Sequence, residues 1–424
     1  MFIKSIEFNN YRGFENISIS FKEGINLIIG NNGAGKSSIL SGTRTLLSEL
    51  LMQVQGMGKV QFFDDGDVRI STLKIGDATN VYKKNWPMFI YAEFDYKNEV
   101  HTLRRGIEAE GNIEGGSYSG GNIFSDLLKE ENTIIPLINF QRFDREWNRT
   151  DTKSKNLSIE MGLTDRVDGL KGTLDDTVID NVVSKWCLKM SMIEMERNDS
   201  VKEFSTFKKI ISRFMKYLLN EENDVEVVYS IEQGGVLFKT KDFSQPIINL
   251  STGYRAVLSM IMELAYRTVV LNPTIDAELR NLEGIVMIDE IDAHLHPIWQ
   301  WRIIDALRNT YPAVQFIIAT HSPIILASVQ EANIIKLESL QKVSYLESAY
   351  GMSADDILML RQGSDAIPEK IKRIREKFEN ALIDEDDNAA QEILDSIKDE
   401  YGEEAPLYKS LKDNYDVNFW AEED

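Results

Sequence analysis

Cysteine and histidine are scarce in this 424-residue chain, and their scarcity excludes several classes of protein. Cys187 is the single cysteine, so the sequence has no disulfide framework and no cysteine-based zinc site. The four histidines are too few and too scattered to predict a metal cluster: His101, His294, His296 and His321. The sequence therefore argues against a disulfide-stabilised secreted domain and against a zinc module.

Long hydrophobic runs are also missing. No apolar run approaches the ~18 residues that a membrane-spanning helix requires. The first residues, Met1 to Lys4, lead directly into a strand pattern and lack the features of a signal peptide. A hydrophobic content of 43% is nevertheless sufficient for a substantial core. We therefore predict a cytoplasmic protein that has no membrane partner.

Positive charge is in deficit, with 47 Lys and Arg against 68 Asp and Glu, a net charge of −21. The excess is uneven: residues 365–424 hold 19 acidic and 8 basic residues, a net of −11, which leaves −10 for the first 364 residues. Proteins that mainly coat nucleic acid are usually basic. The composition therefore disfavours that class, although a local basic groove in the first part of the chain stays compatible with it.

The most informative segment is 30–37, Gly-Asn-Asn-Gly-Ala-Gly-Lys-Ser, which matches the phosphate-binding P-loop pattern. It follows the apolar run 25–29 and precedes a helix-like stretch from Lys36 to about Leu51. Backbone N–H groups of such a loop surround phosphates at a helix N-terminus, while the lysine contacts phosphate and the serine ligates Mg²⁺. The predicted nucleotide-binding residues are Asn31, Asn32, Gly33, Ala34, Gly35, Lys36, Ser37 and Ser38, with Ser37 also a metal ligand.

Two apolar runs in the second half of the chain end in polar residues typical of the same kind of site. Residues 284–290 read Gly-Ile-Val-Met-Ile-Asp-Glu, a buried parallel strand with Asp289 at its carboxyl end. Asp289 is predicted to hold Mg²⁺ through water, and Glu290 to be the general base that orients the attacking water. Residues 316–321 form a further strand that ends in His321, which we expect to sense or polarise the γ-phosphate.

A second anion-binding helix start lies at 250–255, Leu-Ser-Thr-Gly-Tyr-Arg, before a helix predicted over Ala256–Leu271. The remaining pattern predicts strands at 2–8, 17–21, 68–75, 88–95, 99–104, 225–231 and 236–240. The Gly-rich segment 106–121 is expected to be a surface loop. Two amphipathic helices within about 150–222 predict a helical insertion that packs on the core.

Residues 339–424 differ in character from the rest of the chain. Two helical patterns, 371–382 and 389–397, flank the acidic turn 384–387, which is expected to cap the second helix. We interpret this segment as a small acidic helical module that docks a partner. The alternative is a tail that only packs on the main domain.

The order of motifs, P-loop, then L-S-x-G-x-R, then hydrophobic-D-E, then a strand ending in histidine, is similar to that of the ABC-type ATPase heads of the SMC, Rad50 and RecF class. The stretch 289–297, Asp-Glu-Ile-Asp-Ala-His-Leu-His-Pro, looks like OLD-type and Septu-type ATPases, and so does the opening stretch 8–14. The resemblance covers residues 1–338. It implies an α/β fold: a P-loop NTPase mixed sheet with an antiparallel β subdomain and a helical insertion, followed by the helical C-terminal module.

Further site residues follow from this resemblance. Ser251 and Gly253 would contact the γ-phosphate of ATP held by a second subunit, and Asp292 would lie in the D-loop at the dimer interface. Gln141 resembles the glutamine that contacts Mg²⁺ and the attacking water, although a glutamine at a strand end is common. Arg12 would lie near the nucleotide, whereas His294 and His296 are ordinary parts of the D-loop region. The implied cofactors are ATP and Mg²⁺, and the implied assembly is a homodimer or a higher even-numbered oligomer.

Several features in which this chain departs from Rad50, SMC and OLD-type proteins narrow the predicted function. About 210 residues separate Ser37 from Leu250, too few for the long coiled-coil arm of Rad50 and SMC proteins. There is no C-x-x-C zinc hook, and the 103 residues after His321 are too few for the Toprim nuclease domain of OLD-type proteins. We therefore expect that the chain does not cut DNA itself. It looks most like the ATPase subunit of the Septu antiphage system, relatives of which occur beside retrons.

In that family the partner is a separate HNH nuclease, which the ATPase would control. Nucleic acid, either DNA or retron msDNA, is a further candidate partner. Two other functions stay open at this point: a stand-alone DNA-repair ATPase of RecF type, and a scaffold in which the nucleotide turns over very slowly. The intact Glu290 and His321 argue against the scaffold, and the acidic tail argues against the repair ATPase.

Overall fold

The computed structural model describes residues 1–57, 61–75, 79–110, 112–118, 122–142, 165–175, 179–220, 225–230, 232–233, 235–241, 244–358, 369–384 and 386–419. Within them the chain forms two compact units, Met1–Ile357 and Leu358–Asp424. Each unit has its own hydrophobic core. None of the helices in these ranges combines the length and apolar character that a bilayer crossing requires.

The first unit contains strands and helices, and the described residues of the second unit form helices. The strands are β1 (Phe2–Tyr11), β2 (Phe14–Ser20), β3 (Ile25–Gly30), β4 (Ile70–Ile75), β5 (Thr79–Lys84), β6 (Met88–Tyr96), β7 (Glu99–Ala109), β8 (Asn112–Tyr118), β9 (Leu137–Arg142), β10 (Glu226–Ser230), β11 (Gly235–Lys239), β12 (Ser244–Pro246), β13 (Gly284–Asp289), β14 (Val314–Ala319), β15 (Asn333–Ser339) and β16 (Lys342–Leu346). The helices are α1 (Lys36–Leu47), α2 (Ile123–Lys129), α3 (Asp180–Arg197), α4 (Lys202–Leu219), α5 (Thr252–Leu271), α6 (Pro297–Gln300), α7 (Ile303–Thr310), α8 (Pro323–Ser328), α9 (Ala354–Asp356), α10 (Glu369–Ile383), α11 (Asp387–Tyr401) and α12 (Pro406–Phe419). Short 3-10 helices span Ser48–Leu51, Arg166–Gly169 and Ile247–Asn249.

The central sheet has six strands in the order β16-β15-β3-β14-β13-β9. All its neighbours pair in parallel except β16, which pairs antiparallel with β15 at one edge. Strands β13 and β14 are buried along their whole length, which is typical of parallel strands that are covered on both faces. The loops after β3, β13 and β14 therefore leave the sheet at the same edge, where open α/β sheets bind ligands.

The second large sheet is antiparallel, with five strands in the order β2-β1-β6-β7-β8. Together the two sheets and their helices give the mixed α/β fold with an antiparallel β subdomain that the sequence predicts. One local prediction is wrong: residues 106–121 were expected to form a surface loop, but they contain the end of β7 and the whole of β8. Position 106 in β7 requires glycine, because a Cβ there would be 2.1 Å from the carbonyl oxygen of Met88 on the neighbouring strand.

Helices α3 and α4 match the predicted helical insertion over the part of 150–222 that the structure describes, while 150–164, 176–178 and 221–222 lie outside it. Helix α4 packs as the pattern predicts, whereas Val182 of α3, predicted on the buried face, is 48% exposed. In α4 the buried side chains recur at helical spacing: Phe204, Phe207, Ile210, Ile211, Phe214 and Leu218. Trp186 of α3 lies edge-on to Phe207 and to Tyr266 of α5. These aromatic contacts join the insertion to the helix that follows the 250–255 motif.

The second unit has a core of its own around Phe378, Leu394 and Leu411. The acidic turn caps α11 as predicted, since the Asp386 carboxylate accepts a hydrogen bond from the backbone N–H of Ala389. A third helix, α12, was missed by the sequence analysis. Its apolar residues Leu407, Tyr408, Leu411 and Tyr415 keep helical spacing and carried a signal that could have been used.

The sequence analysis divides the chain after residue 338 into an ATPase head and a module that docks a partner. This functional division stays a prediction. By contact, strand β16 belongs with the first unit, because it pairs with β15 across five residue pairs from Ile334↔Leu346 to Ser339↔Lys342. The first compact unit accordingly extends to Ile357.

A buried guanidinium fixes the antiparallel sheet to the end of α1. Arg105 of β7 is 2% exposed and donates to Thr45 and Gln61 carbonyl oxygens and to the Ser48 hydroxyl, while its Nε lies 3.4 Å from the Glu49 carboxylate. Removing one partner of a buried ion pair leaves the other charge uncompensated.

We expect Arg105→Met to lower the free energy of unfolding by about 3–5 kcal/mol, measured by urea denaturation of the whole chain. The matched control is Arg308→Met, which removes a half-exposed i,i+3 pair with Asp305. Its effect should stay below about 1 kcal/mol. Equal unfolding midpoints for the two variants would contradict the structural role assigned to Arg105.

Candidate functional site

A cavity of about 400 Å³ lies at the carboxyl edge of the central sheet, where the loops after β3, β13 and β14 converge. Its lining residues come from five separate parts of the sequence: Gly13, Asn32, Gly33, Gly35, Lys36, Ser37, Ser38, Asp289, Glu290, Ala319, His321 and Leu340. The strand order explains the convergence, since β14 lies between β3 and β13. Half of the residues predicted to bind nucleotide or metal therefore share one cavity: Asn32, Gly33, Gly35, Lys36, Ser37, Ser38 and Asp289.

The P-loop follows β3 and ends in the first turn of α1, as the motif requires. The buried Lys36 directs its ammonium group into its own loop, donating to the backbone carbonyl oxygens of Gly30 at 2.8 Å and Asn31 at 3.2 Å. Burial lowers the pKa of Lys36 below its ordinary value, and the carboxylates of Asp289, Asp292 and Glu290 oppose that shift. A cation held in place by a loop that can surround phosphate suits an anionic ligand.

Gly35 cannot be replaced in this loop without strain. It has a φ of +100°, which favours glycine, and a Cβ there would lie 2.3 Å from the Cζ atom of Phe14. Gly33 has a φ of +80° but no neighbour within 4 Å of the same position. Comparing substitutions at Gly35 and Gly33 therefore distinguishes the effect of backbone strain from the effect of steric overlap.

We expect Gly35→Ala to destabilise the protein by about 2–5 kcal/mol, the sum of left-handed strain and overpacking against Phe14. Gly33→Ala should cost about 1–2 kcal/mol from strain alone. Thermal unfolding without any ligand measures both variants. Identical melting temperatures would mean that Phe14 does not restrict the loop.

Ser37 and Asp289 are neighbours, with the serine Oγ 3.3 Å from the aspartate Oδ1. A hydroxyl and a carboxylate are oxygen donors of the kind that Mg²⁺ prefers. Asp289 is buried at the end of β13 and has further interactions besides this one. The pair fits the metal-ligand role that the sequence predicts for both residues.

Glu290 follows β13 with a φ of +55°, the left-handed region that a glutamate rarely adopts. Its side chain is exposed and lines the cavity. Strained residues of this kind persist where the surrounding structure holds them and are concentrated at functional sites. The geometry is compatible with a base that reaches a water molecule in the cavity.

His321 lies just past the end of β14, two residues after Ala319, and also lines the cavity. Burial lowers its pKa below the ordinary value, and the charge of Lys36 lowers it further, against the opposing carboxylates of Asp292, Glu290 and Asp289. The shift favours the neutral imidazole, which can donate one hydrogen bond and accept another.

Asp292 is engaged within its own chain. Its Oδ1 accepts from the Thr320 hydroxyl at 2.6 Å and from the backbone N–H of His321 at 3.2 Å. The side chain therefore joins the loop after β13 to the loop after β14. Whether it also reaches a second subunit, as the resemblance implies, stays a prediction.

Several predicted residues do not line the cavity. Arg12 is exposed and donates to Asp67 at 2.9 Å and to Ser41 at 3.3 Å, and its neighbour Gly13 lines the cavity instead. Asn31 and Ala34 act through the backbone of the P-loop, where the Asn31 carbonyl oxygen accepts from Lys36 and from Ala34.

The 250–255 motif also lies apart from this cavity. The predicted helix start at Ala256 is wrong, because α5 already begins at Thr252 with Ser251 as its N-cap. Gly253 therefore lies in the first helical turn, where a Cβ would be 2.8 Å from the carbonyl oxygen of His294. The Ser251 side chain is exposed and makes no capping hydrogen bond.

Gln141 lies one residue before the end of β9, which extends to Arg142. The side chain of Gln141 is 4% exposed and donates to the Oδ1 of Asn139 at 2.7 Å. In the parallel register Gln141 lies opposite Ile288, the residue before Asp289. It therefore lies beside the strand that carries Asp289 without lining the cavity itself.

The strand order, the P-loop, and the carboxylates and histidine beyond β13 and β14 define an ABC-type P-loop NTPase head. The chain belongs to the RecF/RecN/SMC N terminal domain family, which matches residues 2–343. Within that family it is similar to proteins of bacterial retron and Septu systems.

The retron Vc95 probable ATPase of Vibrio cholerae serotype O1 biovar El Tor is 26% identical over 90% of this chain and 83% of its own length. A Septu protein PtuA of Bacillus thuringiensis is 24% identical over 97% of this chain and 96% of its own length. Among solved structures, the Smc head domain with an extended coiled coil from Pyrococcus furiosus covers 82% of this chain and 96% of its own, at 14% identity and a TM-score of 0.46.

Proposed function

We propose that this protein binds and hydrolyses ATP and serves as the regulatory ATPase of a bacterial antiphage defence complex. The observation that carries the proposal is the convergence of Lys36, Ser37, Asp289, Glu290 and His321 on one cavity. The names of the relatives support both halves: one is a retron probable ATPase and another a Septu protein, and each aligns with 90% or more of this chain.

The proposed chemistry assigns one role to each residue around the cavity. Lys36 exchanges its bonds to the Gly30 and Asn31 carbonyl oxygens for phosphate oxygens. Ser37 and Asp289 hold Mg²⁺, which would neutralise charge on the β- and γ-phosphates. Glu290 accepts the proton of the attacking water, and neutral His321 donates a hydrogen bond to the γ-phosphate.

The assembly that we propose is a head-to-head homodimer, in which Ser251 and Gly253 of one subunit cover the ATP of the other. Two observations support it: Ser251 is exposed at a helix N-terminus and makes no capping hydrogen bond, and the residue does not line the cavity of its own chain. A two-fold axis makes both sites equivalent. A higher even-numbered oligomer would repeat the same contact.

The partner that we propose is a separate HNH nuclease, docked on the acidic helical region at the C-terminus. This region supports the proposal because 358–424 forms a compact unit with its own core. ATP binding would bias the dimer between two states, and hydrolysis would reset it. Nuclease activity would then depend on the nucleotide state.

The first experiment measures ATP turnover of the purified chain with and without DNA. The proposed function predicts Mg²⁺-dependent turnover that Lys36→Ala abolishes. Strong stimulation by DNA together with steep salt sensitivity would favour a repair ATPase of RecF type instead. Absence of turnover despite tight ATP binding would favour a scaffold.

The second experiment identifies the partner. The tagged chain at native expression level should co-purify with an HNH nuclease in stoichiometric amount. A chain that ends at Ser339 should lose it, while a variant that retains 1–357 separates the contribution of β16 from that of the second unit. Recovery of the protein alone, or with recombination proteins, would contradict the proposal that this chain controls a nuclease partner.

A further inference from the structure

The acidic C-terminal region contains one helix of opposite charge. Residues 365–424 hold eight Lys and Arg, and five of these eight fall within positions 370–377, Lys-Ile-Lys-Arg-Ile-Arg-Glu-Lys. They all belong to α10, which has five basic and three acidic residues and so a net charge of +2. The rest of 365–424 holds 16 acidic residues and three basic ones. Short segments rich in Lys and Arg are typical of contacts with nucleic acid and other polyanions.

The apolar face of α10 is already occupied within its own unit. Phe378 and Ala381 are buried in the same core as Leu394 of α11 and Leu411 of α12. A basic amphipathic helix that lies on a membrane buries its apolar face in the bilayer. Because the apolar face of α10 is covered by protein, the helix offers a ligand its charged flank, which argues against a lipid surface.

Three of the basic residues form a stripe along one exposed flank of α10. Lys370, Arg373 and Lys377 are exposed, and their spacing of three and four positions places them on one side of the helix. At a rise of 1.5 Å per residue the stripe is about 10 Å long. This length corresponds to about two to three nucleotides of one strand. The stripe therefore suits the phosphates of a short stretch of nucleic acid.

An exposed aromatic ring lies beside this stripe. The Lys370 ammonium group is 5.6 Å from the centroid of the Tyr401 ring, at the end of α11, and Tyr401 is 41% exposed. Proteins that bind single strands combine cations that contact the backbone with aromatic rings on which bases stack. In a duplex the faces of the bases are covered by neighbouring base pairs. The ring therefore favours a single strand over a duplex.

Two carboxylates compete with phosphate for the stripe. Lys370 donates to Glu400 and Arg373 Nε lies 3.2 Å from Glu369 Oε1. All four side chains are about half exposed or more. Exposed ion pairs of this kind contribute little stability and are screened by salt, so a phosphate can replace the carboxylate as the partner of either cation.

We infer that helix α10 and Tyr401 form a binding site for single-stranded nucleic acid. Lys370, Arg373 and Lys377 contact successive phosphates. Tyr401 stacks on a base next to them. DNA and RNA share the chemistry that this site recognises, and the acidic surroundings confine a polyanion to this flank. Neither ATP nor a nuclease partner is needed for the binding, so the inference stands apart from the proposed function.

The test measures binding of labelled oligonucleotides to the whole chain by fluorescence anisotropy, without ATP and across a series of salt concentrations. The probes are single-stranded DNA and single-stranded RNA of one mixed sequence, and the matching DNA duplex. We expect the wild type to bind single strands more tightly than the duplex, and the tighter of the two single strands identifies the source. Replacing Lys370, Arg373 and Lys377 together by glutamine should weaken this binding at least ~tenfold and reduce the slope of log K against log salt by about two.

The matched control replaces three exposed lysines of the first unit by glutamine: Lys129, Lys171 and Lys342. It changes the net charge of the chain by the same amount, and its affinity for single strands should stay within about twofold of wild type. Both triple variants should melt at the wild-type temperature, because the substituted side chains are exposed. Equal losses of affinity in the two variants would overturn the inference, since the total charge would then explain the binding.

Two single substitutions test the neighbours of the stripe. Glu400→Gln removes a competing carboxylate and should tighten single-strand binding about twofold. Tyr401→Ala should weaken single-strand binding about fivefold and leave duplex binding unchanged. No binding of any probe by the wild type, or tighter binding of the duplex, would overturn the inference. Wild-type oligonucleotide affinity in the triple variant of the stripe, combined with loss of a co-purifying protein, would also overturn it and assign the stripe to a protein contact.

Discussion

Glu290→Gln should reduce ATP turnover at least ~100-fold while leaving ATP binding intact. A general base contributes about 10²–10⁴-fold to such a reaction, and the amide keeps the shape of the side chain while losing its basicity. The residue lines the cavity, lies next to Asp289 and is held at a φ of +55°. These three features distinguish it from the other exposed glutamates among the residues that the structure describes.

The measurement combines steady-state turnover with ATP binding by calorimetry and gel filtration. Because binding persists while hydrolysis stops, the variant should accumulate in the ATP-bound assembly and elute as a dimer with ATP and as a monomer without it. The matched control is Glu331→Gln, the same change at an exposed glutamate outside the cavity, which should turn over ATP at the wild-type rate. Wild-type turnover in Glu290→Gln would mean that the base is assigned to the wrong residue.

The parts of this site that the sequence predicted share a physical cause. Lys36, Asp289 and His321 each follow a short apolar run, and a buried parallel strand leaves such a run in the sequence. Since the carboxyl ends of neighbouring parallel strands lie at one edge, local patterns were enough to bring distant residues together. The cavity that these residues line agrees with that prediction.

The parts that the sequence missed depend on pairing between distant segments. Strand β8 is rich in glycine and polar residues and has no alternating pattern, and its register with β7 shifts at two places. Such a strand is specified by its neighbour more than by its own residues. The bond between Asn139 and Glu263 spans 124 positions of sequence, and no spacing rule connects the two.

Asp292 illustrates an intermediate case. Its position after the hydrophobic-D-E motif predicted its loop, whereas its bonds to Thr320 and His321 became visible only in the structure. A carboxylate in a loop can accept hydrogen bonds from its own subunit or from another subunit, and the sequence pattern is the same in both cases. Local sequence therefore identifies the residue but not its partner.

Ser251→Arg should abolish ATP-driven dimerisation and turnover while ATP binding by the single chain stays within about threefold of wild type. The helix N-terminus at Ser251 is exposed, and its replacement removes no capping hydrogen bond, because the serine makes none. In the proposed dimer, however, an arginine would fill the space of the partner's γ-phosphate contact. Because the proposed nucleotide site needs residues of both subunits, a steric clash at this position would prevent the site from forming.

The decisive measurement introduces Ser251→Arg into the Glu290→Gln background, where the ATP-bound assembly should otherwise accumulate. We expect the double variant to bind ATP and to elute as a monomer, in contrast to Lys36→Ala, which should fail to bind ATP at all. Ser200→Arg, an exposed serine in the turn between α3 and α4, is the control for added bulk and charge and should leave the dimer intact. Persistence of the ATP-dependent dimer in the double variant would show that the 250–255 motif does not cover the nucleotide of a second subunit. In the proposed dimer, ATP binding requires Lys36 of the same chain and dimerisation requires Ser251 of the other. The two losses would therefore separate the roles of the two proposed anion sites.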